Sequence, residues 1–281
     1  MLEAKRYLIC TSPRTGSTLL SRALRVTGRF GMQSPQGPGG SAELLVQYWN
    51  QRYRHVDWSL KSPRDVLEDC WRTSRTPNGV EGFKIMWHDL ERLCALARAS
   101  GCHPNVEVSR PETYLPDDAA LILLLRRDRV GQAVSWVKAN QSASWNSTKT
   151  SNRKPLRYNY LMLRAAVDRA NQEERRWRDW FARLGRPLPL YDYEDLLRDI
   201  QAPVDDLAAQ LGVEPPAVSI AAAGVEKQSD AVNDEWRRRY ERDASSALRR
   251  ANAIAASVAQ PEPWTRLLTR WRERRRTGSA A

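Results

Sequence analysis

The sequence predicts an α/β fold in which a parallel sheet is covered by helices on both faces. Three observations carry that expectation. Short apolar runs alternate with segments of helical period along most of the 281 residues. The joints between the first runs and the helices after them are short, as right-handed β–α crossovers require. The run Ala119–Leu125, AALILLL, has no polar position, which suits a central strand buried on both faces.

Taken in order, Arg6–Thr11 is the first strand, and Ser12-Pro13-Arg14-Thr15-Gly16-Ser17 is the loop after it. Thr18–Val26 places Leu19, Leu20, Ala23 and Leu24 at helical spacing, and Gly28 ends the helix. Residues Gly31–Ser41 are rich in Gly, Pro, Gln and Ser and predict a loop. Helices follow at Ala42–Tyr53 and at Asp65–Arg75, the second opened by Pro63. Gly79–Trp87 reads as a strand running into a helix from His88 to Ala99. After Ala119–Leu125, Asp128 caps a helix that runs toward Ala139. Gln141–Pro155 is polar and predicts a loop, and Leu156–Leu184 predicts a long amphipathic helix carrying Trp177, Trp180 and Phe181. Leu188–Tyr193 is the last strand, Glu194–Asp199 begins a helix, and the rest reads as helical up to a basic tail. The expected organisation is one α/β domain over residues 1–262 and a solvated tail over 263–281.

Composition narrows the function. No stretch of about 18 uninterrupted apolar residues exists, so no membrane span is expected. The N-terminal residues lack the charged, apolar and cleavage regions of a secretory signal, and a cytoplasmic protein is expected. The four cysteines, Cys10, Cys70, Cys94 and Cys102, form no CxxC pair and read as reduced thiols, and three histidines argue against a zinc site. The formal net charge is +12. Six arginines against Glu273 in the tail supply +5 of it, and the remainder still favours an anionic ligand. No RRM, KH or helix-turn-helix signature accompanies the charge, so nucleic acid is not the expected partner.

A buried strand that ends in Ser-Pro-Arg-Thr-Gly-Ser-Thr and turns into a helix is a phosphate-binding design. Gly16 lets the backbone approach an anion, and the helix N-terminus presents N–H groups and a partial positive charge. Ser17 and Thr18 add hydroxyls, and Arg14 adds a cation. The loop is not a Walker A motif, since Gly16 stands where that motif has lysine before the hydroxyl residue, and the G-x-G-x-x-G fingerprint of dinucleotide binding is absent. Lys84 lies inside an apolar strand, where an ammonium is costly without an anion or a route to solvent. Trp87, Trp136 and Trp236 are open between core packing and stacking on a ring.

Four ordered segments resemble the Stf0-type sulfotransferase family. They are Tyr7–Leu20 with its Ser12–Thr18 loop, Arg75–Val80 leading into Gly82–Trp87, Arg126-Arg127-Asp128 leading into Gln132–Trp136, and Glu226–Asp230 leading into Asp234–Trp236 and Arg239-Tyr240. The resemblance implies a P-loop-like sulfotransferase fold and in-line transfer of a sulfuryl group from 3′-phosphoadenosine 5′-phosphosulfate (PAPS) to an acceptor hydroxyl, with no metal. Carried onto this sequence, it implies that Ser12, Arg14, Thr15, Gly16, Ser17 and Thr18 hold the 5′-phosphosulfate, that Arg126 or Arg127 with Ser135 holds the 3′-phosphate, that Lys84 meets the transferring group and that Lys227 closes over the nucleotide. The acceptor is expected to be a small molecule such as a sugar, a glycolipid or a secondary metabolite, its nucleophile a hydroxyl or an amine. A homodimer is suggested by the resemblance alone.

One departure matters. The glutamate that serves the family as general base, in the segment after the first helix, is replaced by Pro35, and the sequence holds no carboxylate between Glu3 and Glu43. Three repairs are open: Glu43 folded back by its loop, His88 beyond the Lys84 strand, or an acceptor that needs no base. Among these, His88 is the expectation, because an even spacing would place Lys84 and His88 on one face if the strand continued that far. The missing glutamate also motivates an alternative, a degenerate member that binds PAPS or its product without turnover.

Overall fold

The computed structural model describes residues 5–31, 56–142, 155–185, 189–224 and 231–246. Strand β1 (Lys5–Thr11) leads through the 12–16 loop into α1 (Ser17–Val26). Helix α2 (Pro63–Ser74) opens on a capping box, in which the Ser62 hydroxyl and the Asp65 carboxylate each accept the other's backbone N–H. Strand β2 (Val80–Met86), helix α3 (Trp87–Ala99) and a single 3-10 turn at Pro111–Tyr114 follow. Then come β3 (Ala120–Leu125), α4 (Arg129–Ser142), the long α5 (Tyr160–Arg183), a short β4 (Leu190–Asp192), α6 (Tyr193–Leu196) and α7 (Ala202–Leu211). The four strands lie in the order β2-β1-β3-β4, all parallel.

Strict alternation along the strands divides the core between the two faces of the sheet. Leu8, Cys10, Phe83, Ile85, Leu121 and Leu123 pack with Trp71, Trp87, Trp177 and Trp180 under α2, α3 and α5. Tyr7, Ile9, Ile122 and Leu124 face the other way, onto Leu19, Leu20 and Leu24 of α1 and Leu207 of α7. Gly82 is required opposite Tyr7, whose ring lies 1.9 Å from where a Cβ would stand. In such a sheet the loops beyond the carboxyl ends of the strands gather on one edge, where ligands bind.

The described residues fall into two units that part between Asn233 and Asp234. In the second, residues 234–246 carry on helix α8 (Ala231–Ser245).

Several expectations are corrected. Strand β2 stops at Met86 rather than Trp87, and the following helix takes Trp87, whose ring packs on Trp177 at 4.9 Å; His88 is helical as expected, so the strand does not continue far enough to pair it with Lys84. Helix α5 begins at Tyr160 rather than near Leu156, since the Asn159 side chain caps it by accepting the Met162 N–H. The stretch after Leu211 is not continuously helical: Gly212 takes the left-handed conformation (φ 59°) and ends α7. The predicted helix at 42–53 lies outside the described residues.

Candidate active site

The 12–16 loop leaves the end of β1 through two left-handed residues, Arg14 (φ 66°) and Gly16 (φ 80°). Gly16 has no alternative: a Cβ there would stand 2.4 Å from the Tyr193 ring. The loop is braced from beneath. The Thr15 hydroxyl donates to the Ser12 carbonyl at 3.0 Å, the Thr11 hydroxyl reaches the Leu124 carbonyl at 2.9 Å, and the Gln132 amide donates to Ser12 Oγ at 2.9 Å and to the Pro13 carbonyl at 2.7 Å. The Trp177 indole N–H, from α5, donates to the Thr11 carbonyl at 2.8 Å. The hydroxyls of Ser12 and Thr15 are therefore turned inward and buried, whereas Gly16 at the N-cap of α1 offers no side chain to its first turn. No acidic residue stands in that turn either. The first N–H groups of a helix have no partners inside it, so this N-terminus can receive an anion.

Cations converge on that N-terminus from three elements. Lys84, 3% exposed in β2, sends its ammonium to the Thr18 hydroxyl at 2.9 Å. The Arg14 guanidinium donates through Nε to Ser135 Oγ on α4 at 2.8 Å, joining two residues 121 positions apart. Arg126, at the end of β3, lies over the Tyr193 ring at 4.9 Å and donates to the Arg14 carbonyl at 3.3 Å. It also reaches Asp128 at 3.4 Å, and its buried Nε lies 4.0 Å from Glu194 Oε1 without a hydrogen-bond partner among the described residues.

The adjacent arginine is built differently. Arg127 donates to Asp192 at 3.0 Å and to both oxygens of Asp195 at 2.8 and 3.0 Å, and these carboxylates hold its guanidinium protonated more firmly still. The sequence left Arg126 and Arg127 open. Arg127 fastens β3 to the β4–α6 corner, whereas Arg126 lies against the 12–16 loop through the Arg14 carbonyl.

His88 stands at the opposite side of the edge and is tied to carboxylates at both ring nitrogens. Nδ1 is 3.0 Å from Glu173 Oε1, and Nε2 is 3.5 Å from Asp89 Oδ1. Arg169 donates to the same Glu173 oxygen at 3.0 Å. Glu173 is 3% exposed and its Oε2 has no hydrogen-bond partner among the described residues. Burial works against its charge, but His88 and Arg169 outweigh that and hold the carboxyl below its usual range. Burial pushes Asp89 the other way, upward, with Glu173 adding to the rise. Glu173 also lines a small crevice of about 20 Å³ between α4 and α5, room for a single water-sized group, whose other walls include Pro13, Gln132, Ala133 and Trp136. Lys84 and His88 therefore do not share a strand face, because the strand ends first and the imidazole is already engaged on both sides.

A family model described as Stf0 sulphotransferase matches residues 6–243. The chain belongs to the Stf0 sulphotransferase family. Two relatives are similar to it over nearly their whole length. A trehalose 2-sulfotransferase of Mycolicibacterium smegmatis is 30% identical over 261 residues, covering 85% of this chain and 95% of the relative. A trehalose 2-sulfotransferase of Mycobacterium tuberculosis is 28% identical over 263 residues, with the same shares covered. The expected family, fold class and reaction type stand: this is a sulfotransferase of α/β architecture, and its reaction needs a sulfuryl donor as co-substrate. No helix of the described residues is long and apolar enough to cross a membrane, and no group of His, Cys, Asp and Glu among them could hold a metal ion.

Two sequence-predicted site residues, Glu43 and Lys227, lie outside the described residues. Three others were missed: Gln132, Tyr193 and Glu173. The signal for Glu173 was present. In α5 the buried positions run Leu163, Ala166, Ala170, Glu173, Trp177, Trp180, so a carboxylate occupies the apolar stripe of the helix. Of the three open tryptophans, Trp87 is core, and Trp136 is on the crevice beneath Arg169, 5.6 Å from its ring.

Proposed function

We propose that this sulfotransferase takes its sulfuryl group from PAPS and transfers it to a hydroxyl of a small sugar, with trehalose the first acceptor to try. The meeting of the Lys84 ammonium and the Thr18 hydroxyl at an uncapped helix N-terminus carries the reading, because it gathers charge and donors where a phosphosulfate would develop negative charge. Gly16, Ser17 and Thr18 hold the 5′-phosphosulfate through backbone N–H groups and hydroxyls, Ser12 and Thr15 keep the loop in shape, and Arg14 and Lys84 offset the negative charge that grows on the bridging oxygen and the leaving phosphate as the S–O bond breaks. Arg126 and Ser135 take the 3′-phosphate, and the buried Arg126 Nε, which makes no hydrogen bond among the described residues and only a 4.0 Å ion pair with Glu194, supports this choice over Arg127. Lys227 is carried as a nucleotide-closing residue on the resemblance alone. The relatives' names motivate the sugar, and the four cysteines, all free thiols, favour the cytoplasm as the place of reaction.

Mass spectrometry of acceptors incubated with PAPS tests the reading. Trehalose and other disaccharides, with an amine panel beside them, are expected to show a sulfuryl increment on a sugar hydroxyl. An increment on amines alone, or PAPS bound and returned unchanged with every acceptor, would refute it, the second result favouring a binding protein without turnover.

A further inference from the structure

On the resemblance, Pro35 stands where a base would be expected, and the chain buries a carboxylate whose second oxygen no contact among the described residues uses. We propose that Glu173, through its Oε2, accepts the proton of the acceptor hydroxyl. The inference rests on the sulfotransferase reading above.

Four observations carry it. One oxygen of Glu173 is fixed by two donors, His88 Nδ1 and Arg169 Nε, both at 3.0 Å. The other is buried with no partner among the described residues, a costly arrangement for a carboxylate unless a further donor reaches it. The residue faces the crevice that Pro13 of the phosphate loop also lines, so a hydroxyl placed there is next to the donor loop. Trp136 lines the same crevice and carries the Arg169 guanidinium over its ring at 5.6 Å, which holds that guanidinium against the far oxygen of Glu173.

The chemistry closes without another reactant. The acceptor oxygen forms its bond to sulfur, the bond from sulfur to the bridging phosphate oxygen breaks with its electron pair going to the phosphate, and the hydroxyl proton moves to Glu173 Oε2. Lys84 and Arg14 meet the charge that builds on the leaving phosphate. His88 and Arg169 act as positioning residues, holding the carboxylate by its far oxygen. Burial raises the pKa of Asp89 while His88 and Arg169, outweighing burial, lower that of Glu173, so the ionised form is favoured more at Glu173 than at Asp89.

Steady-state turnover with PAPS and trehalose, paired with calorimetry of 3′-phosphoadenosine 5′-phosphate, tests it. Glu173→Gln keeps the volume and can still accept from His88 and Arg169. Its kcat is expected to fall by about 10²–10⁴-fold while nucleotide affinity is unchanged. Formate, which fits the space left by Glu173→Ala, is expected to restore part of that variant's kcat. Turnover of Glu173→Gln within about tenfold of wild type would overturn the proposal. So would a loss of turnover accompanied by loss of nucleotide binding, a Glu173→Ala enzyme that formate leaves inert, or a loss confined to Glu43→Gln. A wild-type protein that sulfates no acceptor removes the parent reading, and this proposal with it. An active wild type with an unimpaired Glu173→Gln removes the proposal alone.

Discussion

At the scale of single residues, the site depends on positions where no other side chain fits. Gly16 combines a φ of 80° with the Tyr193 ring where its Cβ would be. Gly16→Ala must move either the loop or the β4–α6 corner, so it is expected to abolish nucleotide binding, read by calorimetry, even in a protein whose circular dichroism is native. Asp195 sets an acid limit on the same corner. Hydrogen bonding from Arg127, ahead of Arg198, holds it down to about 2. Its folded pKa thus lies below that of the unfolded chain. The stabilisation is complete above roughly pH 4 and is lost as the pH falls through the folded value. Urea midpoints measured down this range are expected to decline less in Arg127→Ala, which has already lost the partner; an equal decline would assign the acid sensitivity elsewhere.

At the scale of elements, α5 is the member that ties the sheet to the site. It delivers Trp177 to the Thr11 carbonyl at 2.8 Å and, one turn earlier, Glu173 to the crevice. Trp177→Phe keeps most of the packing and deletes the indole N–H. It is expected to cost about 1 kcal/mol in chemical denaturation, with a larger proportional loss in turnover because the phosphate loop is loosened. A stability loss with kcat untouched would separate α5 from the loop. Elements of this kind were legible in the sequence to an uneven degree. AALILLL and RYLICT announced β3 and β1 because a strand buried on both faces leaves no other reading. The loop between β1 and α1 was legible because its chemistry is local. The end of β2 was not: Met86, Trp87 and His88 suit a strand or a helix equally, and Trp87 was claimed for α3 by Trp177, 90 residues further on. The choice of Arg126 over Arg127 was closed to the sequence for the same reason, since it turns on Asp192 and Asp195.

At the scale of the whole molecule, the charge of +12 is unevenly distributed, and the six arginines of the 263–281 segment bring few apolar residues with them. We propose that this segment is dispensable to the reaction, with Trp264 and Trp271 the residues that would bind it to the rest if it is not. A protein ending at Pro263 is expected to turn over as the full chain does; loss of sulfuryl transfer in a folded truncation would reverse that assignment. The central claim, however, is that the β1–α1 loop and Arg126 form one site for a nucleotide phosphorylated at both its 5′ and 3′ positions. Calorimetric titration of 3′-phosphoadenosine 5′-phosphate with chelator present, into wild type, Arg126→Ala and Arg127→Ala, tests it most directly. Each charge-assisted contact is worth about 1.5–3 kcal/mol, so Arg126→Ala should bind roughly ten- to a hundredfold more weakly, and Arg127→Ala, compared at equal folded fraction, should bind nearly as wild type does. Equal affinity of wild type for adenosine 5′-phosphate, or a loss confined to Arg127→Ala, would contradict the account.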